Sequence, residues 1–185
     1  MINETLQAIF DRRSIRRFAA EALTADQLET LQAVALASPS GVNRQPWHFS
    51  FVINPDKIAA VSEAALEHFR QDRNQGVLDR MAARHKSLFY GAPLVVFISL
   101  PRGDDADLDA GIAVENLAIA AQSMGLGSCI IGLAAAAFNG TQAAEMKRLV
   151  AMPAGHEFAI SIAIGHPAMT KEAHEQHPEK ITVVD

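Results

Sequence analysis

The sequence has a single cysteine, Cys129. No internal disulfide can form, which excludes a disulfide-stapled scaffold and is expected of a protein kept in a reducing cytoplasm. No apolar stretch is long and uninterrupted enough to cross a bilayer. The opening residues, Met1-Ile-Asn-Glu-Thr5, lack the basic start and apolar run of a signal peptide, so a soluble cytoplasmic protein is expected. Positive charge is not in excess either. The net charge of −5 argues against a general nucleic-acid surface and confines any anion site to a local patch. Internal repeats and low-complexity linkers are missing as well. With 49% hydrophobic and 20% charged residues, the composition is globular rather than disordered. A chain of 185 residues can bury its own core, and one domain spanning 1–185 is the simplest division.

What is present is an interleaving of helix-like and strand-like segments. Residues from about Glu4 to Arg12 read as a short helix with Leu6, Ile9 and Phe10 on one face. Thr24-Ala-Asp-Gln27 is a capping-box pattern that opens a helix to about Ala37. A strand is predicted over Trp47–Ile53, closed by Asn54-Pro55, with a helix from Asp56 to about Arg70 behind it. The polar stretch from Gln71 to Tyr90 is expected to be helical toward its end. Pro93–Leu100 is a continuous apolar run between Gly91 and Pro101, the pattern of a buried strand. Asp107–Met124 is alanine- and leucine-rich nearly all round, with Glu115, Asn116 and Gln122 interspersed, which suits a central helix or one in a large interface. Gly125-Leu-Gly127 stops it. Ser128–Ile131 then reads as a short strand, Thr141–Val150 as a helix, Glu157–Ile164 as a buried strand, and Ile181–Val184 as a final β-like run. The loops do not fit regular βαβ units, so an α+β layered fold is preferred to a doubly wound one.

Two segments carry candidate chemistry. Arg12, Arg13, Arg16 and Arg17 surround Ser14 just past the end of the first helix. Guanidinium groups bind phosphate bidentately, and a serine hydroxyl or backbone N–H can complete such a cradle. A solvated basic helix end is the alternative. If the segment is extended, Arg12, Ser14 and Arg16 point to one side. The second segment, Pro39-Ser-Gly-Val-Asn-Arg-Gln-Pro-Trp-His-Phe49, concentrates polar groups and the sole tryptophan in a loop. Asn43 and Gln45 alternate there, and Pro46 holds Gln45 out of helix. Paired amides of this kind can read the edge of a flavin or a purine, or can simply form an Asx-type loop.

Together these motifs resemble the nitroreductase family of FMN-dependent oxidoreductases. The likeness continues through Ala113-Val-Glu-Asn116-Leu-Ala-Ile-Ala-Ala121, Gly125-Leu-Gly-Ser-Cys-Ile-Ile-Gly132 and Ile162-Ala-Ile-Gly165-His-Pro167, and so covers nearly the whole chain in order. It implies a three-layer α/β/α sandwich with a mainly antiparallel central sheet, assembled as an intertwined homodimer with FMN at the subunit interface. By position, Arg12 and Ser14 match residues that hold the FMN phosphate, with Arg13 flanking them. Arg16 matches the cation at the N1/O2 edge of the ring, where positive charge stabilises the reduced, anionic flavin. Pro39, Ser40, Gly41, Asn43 and Gln45 match the loop that a partner subunit contributes to the same flavin. Ile130, Ile131 and Gly132 match the strip whose backbone lies along the ring, and the helix Ile112–Met124 would lie in the dimer core. The implied activity is ping-pong reduction of nitroaromatic, quinone or similar electrophilic acceptors by NADH or NADPH, with no side chain needed as acid or base. A flavin reductase acting on an activated alkene or halogenated substrate, and a non-catalytic flavin-binding protein for storage or sensing, are the alternatives.

The sequence departs from the family pattern in two places. His174 and Gln176 stand where relatives commonly have a Lys-x-Arg pair that completes phosphate binding, so that contact is expected to be weaker or pH-dependent. Only Pro101–Asp107 connects strand to helix where larger relatives have a helical excursion over the substrate. Other motifs point nowhere. Gly125-x-Gly127 with Gly132 follows a helix and precedes a strand, the reverse of a dinucleotide-binding turn. His174-Glu-Gln-His177 lacks the spacing of a zinc helix. Cys129 reads as a small core residue, and Asp104-Asp105-Ala-Asp107 as a surface turn and helix cap.

Overall fold

A computed structural model describes residues 2–82 and 87–185. The elements run α1 (Glu4–Asp11), α2 (Ala25–Leu36), β1 (His48–Val52), α3 (Pro55–Gln71), α4 (Gln75–Ala82), β2 (Leu94–Pro101), α5 (Asp107–Ser123), β3 (Gly127–Ile131), α6 (Ala135–Asn139), α7 (Ala143–Leu149) and β4 (His156–Gly165). The strands form one antiparallel sheet in the order β1-β2-β4-β3. The periodicity of β2 divides the molecule into three layers. Leu94, Val96, Ile98 and Leu100 face α2, α5 and Trp47 on one side, while Val95 and Phe97 face α3, α6 and α7 on the other. Both faces are buried, which is why β2 reads as an unbroken apolar run. The expected α+β sandwich with an antiparallel sheet is what the chain forms.

Local signals account for most boundaries. Thr24 and Gln27 exchange the two hydrogen bonds of a capping box at the start of α2. Asn54 caps α3, with Pro55 in its first turn, where a missing N–H costs nothing. α5 buries Ala110, Ala113, Leu117 and Ala121 and is packed by the sheet, α1 and α2 together. Most of its apolar character is thus used within one chain, and only Leu108 and Ile112 remain exposed among its large apolar residues.

Three expectations are corrected. The helical part of the Gln71–Tyr90 stretch is α4, in its middle; residues 83–86 lie outside the described residues, and Ser87–Gly91 is turn. The helix expected over Thr141–Val150 is shortened to α7, and α6, starting from three alanines after a glycine, was not anticipated. Ile181–Val184 is not a strand. It follows a 3-10 turn at Pro178–Lys180, and Ile181, Val183 and Val184 are exposed, with no sheet edge paired to them among the described residues. In α1 the Leu6, Ile9 and Phe10 face is exposed, and Ala8 is the buried residue. Among the described residues, no helix is long and apolar enough to cross a membrane.

The segment after α1 crosses one end of the sheet. Ser14 bridges Ser128 in parallel, with Ile15 N–H donating to Ser128 O at 2.8 Å. Phe18 bridges Pro167, and Ala19 N–H donates to His166 O at 2.9 Å. Two glycines on one rung of the sheet, Gly127 and Gly165, make the crossing possible. A Cβ on Gly127 would lie 2.9 Å from Ile15 Cγ1, and one on Gly165 would lie 2.5 Å from Pro93 Cδ and 3.2 Å from Phe18 Cδ1. Gly165→Ala is therefore expected to lower unfolding free energy by about 1–3 kcal/mol through overpacking. Urea denaturation measures this, and an unchanged midpoint would show that the crossing has slack.

Candidate functional site

The four arginines of the N-terminal segment have different fates. Arg12 lies at the C-terminal end of α1, half-buried, its Nε 3.3 Å from Glu115 Oε1 of α5. Arg13 folds back, donating from one terminal amine to Phe10 O at 2.6 Å and Arg12 O at 2.8 Å, where it satisfies carbonyls at the helix end. Arg17 donates from Nε to Ala168 O at 2.7 Å. Arg16 uses its backbone N–H, which reaches Met169 Sδ at 3.3 Å, and its guanidinium makes no hydrogen bond among the described residues. Two of the four cations are thus taken up by backbone carbonyls. Arg13 and Arg17 each use one nitrogen for this, Arg12 sets its Nε beside Glu115, and Arg16 keeps its whole guanidinium free of hydrogen bonds among the described residues, with Arg12 and Arg16 flanking Ser14. This is the alternation expected of an extended segment, with Ile15 turned into the core between them.

The second segment is held in an unusual backbone conformation. Val42, Asn43 and Gln45 have φ of 45°, 56° and 49°. Asparagine tolerates this left-handed region, but a β-branched valine does so only against strain. The strain is held by contacts from outside and inside the loop. Gly41 N–H donates to Asp109 Oδ1 at 3.0 Å. Gln45 N–H donates to Ser40 Oγ at 2.9 Å, and Gln45 Nε2 to Asn43 Oδ1 at 2.9 Å. Arg44 forms a two-pronged pair with Asp104, at 3.2 and 3.0 Å. Asn116 Nδ2 donates to Ser38 Oγ at 3.1 Å at the loop's base. Pro39, Gly41, Val42, Asn43 and Gln45 are nonetheless exposed. Trp47, by contrast, is a core residue packed with Leu31 and Ala35 rather than part of the polar loop.

Ile130, Ile131 and Gly132 lie further along β3 from the Ser14–Ser128 bridge, at the strand's far end. Ile130 and Gly132 are exposed, and Ile131 is buried with its carbonyl accepting from Ser161 Oγ at 2.7 Å. A Cβ on Gly132 would touch only Ile160 Cδ1, at 3.7 Å, so packing within the chain does not require glycine there. β3 therefore links the arginine segment to this strip. The Pro39–Gln45 loop is tied to α5 through Asp109 at Gly41 and through Asn116 at Ser38. His174 and Gln176 are exposed in the C-terminal segment. Cys129 is buried in the core.

Sequence reasoning did not find Asp109, Ser38 or the pairing of Glu115 with Arg12. Asp109 is only 7% exposed in the first turn of α5, and nothing local distinguishes it from the neighbouring acidic residues. The expectation that Asp104, Asp105 and Asp107 cap the helix is corrected: the N-cap position is Ala106, with no side-chain cap, and Asp104 holds Arg44 instead. An apolar recess of about 400 Å³, lined by Leu23, Leu28, Ile53 and Pro93 among others, is formed by none of the candidate residues.

Just past the loop, His48 begins β1 opposite Ser99, with its ring 6.2 Å from that of His156. Burial first, and the charge of His156 second, lower the His48 pKa from its ordinary value.

Comparison with known proteins is consistent across sequence and structure. Residues 9–166 match the model of the Nitroreductase family. A nitroreductase with bound FMN from Desulfitobacterium hafniense is 32% identical, covers all of both chains and superimposes with a TM-score of 0.95. A second, with bound FMN, from Bacteroides fragilis, is 25% identical over all of both chains, with a TM-score of 0.91. A putative NADH dehydrogenase/NAD(P)H nitroreductase from Archaeoglobus fulgidus is 25% identical over 94% of this chain and 91% of its own.

The lowered His48 pKa has a definite sign in folding. The folded chain favours neutral His48, so its contribution is present above the ordinary histidine pKa of 6.5 and is lost as pH falls through the lowered folded value. Stability should decline as the pH is lowered through that range, and His48→Gln should flatten the decline. Thermal midpoints across pH read the effect, and identical slopes for the two proteins would remove His48 from it.

Proposed function

The chain belongs to the nitroreductase family, and from that premise we propose that it is an FMN-dependent oxidoreductase. It draws electrons from NADH or NADPH and delivers them to nitroaromatic, quinone or similar electrophilic acceptors. The observation that carries the reading is the sorting of the arginines. Arg16 keeps its whole guanidinium free of hydrogen bonds among the described residues two positions from Ser14, whereas Arg12, Arg13 and Arg17 each have one nitrogen engaged, on Glu115 or on backbone carbonyls. That donor set matches the chemistry of a phosphate and an electron-rich ring edge, so the residues present fit FMN.

Arg12 and Ser14 would hold the phosphate, with Arg13 fixing the end of α1 from which they project. Arg16 would supply positive charge at the ring edge. Ile130, Ile131 and Gly132 would lend a backbone strip with no side chain at Gly132 to obstruct a flat ligand. Pro39, Ser40, Gly41, Asn43 and Gln45 would complete the neighbouring subunit's site in a homodimer. The exposed faces of α1 and α5, with Leu6, Phe10, Leu108 and Ile112, support such an assembly, because a lone chain leaves this apolar surface in water. His174, exposed in the C-terminal segment, would add a phosphate contact. Bound FMN would supply the redox chemistry, taking electrons from the nicotinamide donor and passing them to the acceptor in a ping-pong cycle. The protein's part is to bind, orient and tune. No side chain is assigned as acid or base.

The visible spectrum of the purified protein tests the reading. Bound flavin should bleach on adding NADH or NADPH and recover with a quinone or nitroaromatic. A flavin that stays oxidised would instead mark a storage or sensing protein, and a colourless protein that takes up no FMN would remove the flavin altogether. Arg16→Ala should weaken FMN binding about tenfold or more and lower its reduction potential; both unchanged would take Arg16 out of the site. In mixed dimers, one Asn43→Ala chain should disturb the neighbouring subunit's site, which its loop completes, and spare its own. Tight FMN binding by a monomer would overturn the two-chain site.

A further inference from the structure

The Pro39–Gln45 loop poses a physical problem that the flavin assignment does not answer. Val42, Asn43 and Gln45 all sit at positive φ, and Val42 is 94% exposed, so no packing of its own side chain holds it there. An exposed loop with this much backbone strain relaxes unless something fixes it. Ser40 Oγ and the Asn43–Gln45 side-chain bond act within the loop and move with it. The Arg44–Asp104 pair is largely solvent-exposed, and such pairs contribute little. At the base, Asn116 reaches Ser38, before the strained residues begin. Among the described residues one anchor is left that is both buried and external: Asp109 Oδ1, which accepts the Gly41 N–H at 3.0 Å from a residue only 7% exposed.

We infer that Asp109 is the positioning residue of the flavin-facing loop, setting through Gly41 N–H the placement of Ser40, Asn43 and Gln45. This rests on the flavin reading of those residues. Asp109 does not touch the cofactor in this scheme; it acts through the backbone. A carboxylate suits the task for two reasons. It is a strong acceptor for a backbone N–H, and in the first turn of α5 it is favoured by the helix dipole. Since α5 lies against β2, β3 and β4, the anchor transmits the rigidity of the core to a surface loop. The same helix carries Glu115, whose Oε1 lies 3.3 Å from the Nε of Arg12. One rigid element thus indexes both halves of the proposed site.

The test uses the full chain with two substitutions and two readouts. Asp109→Asn keeps an acceptor oxygen within reach of Gly41 N–H and loses the charge; Asp109→Ala loses both. Without added flavin, the Gly41 amide should exchange with solvent about tenfold or more faster in D109A and close to the wild-type rate in D109N. FMN affinity, read by flavin fluorescence, should fall about tenfold in D109A and within about threefold in D109N. A merely stabilising role would lower the melting temperature of both variants and leave FMN affinity of the folded protein unchanged, which overturns the proposal. So does a Gly41 amide as protected in D109A as in wild type. Should D109A fail to fold, Asp109→Ser, whose hydroxyl is too short to reach the amide, takes its place with the same expectations. A wild-type protein that takes up no FMN overturns the flavin reading and this role with it. One that binds FMN while D109A binds it equally well overturns the role of Asp109 alone.

Discussion

The rung formed by Gly127 of β3 and Gly165 of β4 is the constraint on which the arginine segment depends. Without side chains at these two positions, Ile15 and Phe18 settle across the end of the sheet, against atoms that any Cβ would displace. Burial of Ile15 and Phe18 fixes the backbone between and around them. Around Ile15 that backbone is extended, so its neighbours Ser14 and Arg16 lie on the side opposite the buried Ile15 side chain. A local pattern of charges becomes a directed set of donors only because two glycines distant in sequence leave room for two apolar neighbours.

α5 is the second organising element. Its inner face packs on the sheet with small residues, which lets α1 and α2 approach it closely from the other side. Its polar residues are few, and three of them are spent on the two candidate segments: Asp109 on Gly41, Glu115 on Arg12 and Asn116 on Ser38. In a largely alanine and leucine helix, isolated polar groups of this kind carry specific contacts rather than general solvation. The proposed two-chain flavin site would therefore inherit its dimensions from one helix.

Much of this was legible in the chain. The apolar run Leu94–Leu100, the capping box at Thr24 and the Asn54-Pro55 start of α3 announced their elements because the signals are local: burial on both faces, two reciprocal hydrogen bonds, a fixed proline φ. The regions misread lack such signals. Nothing within Ala134–Phe138 marks a helix start, since α6 has no side-chain cap, and its burial is supplied by α3 and β4. Ile181–Val184 has β-like composition, but a strand also needs a partner edge, which composition cannot specify. The acidic run from Asp104 was read as a helix cap because its partner, Arg44, lies far away in sequence.

By itself, then, the sequence determined which residues have the chemistry: guanidinium groups around a serine, paired amides in a proline-bounded loop, a glycine after an apolar strand. Residue type and spacing are covalent facts, and they also carried the family resemblance. Only the tertiary structure decided which of those groups are free to use that chemistry. Arg16 keeps its guanidinium free of hydrogen bonds among the described residues while Arg12 meets Glu115 and Arg13 and Arg17 meet carbonyls, and Asp109 differs from its acidic neighbours in being buried beside Gly41. Competition for hydrogen-bond partners is settled in three dimensions, because a donor already paired inside the fold has little to offer a ligand.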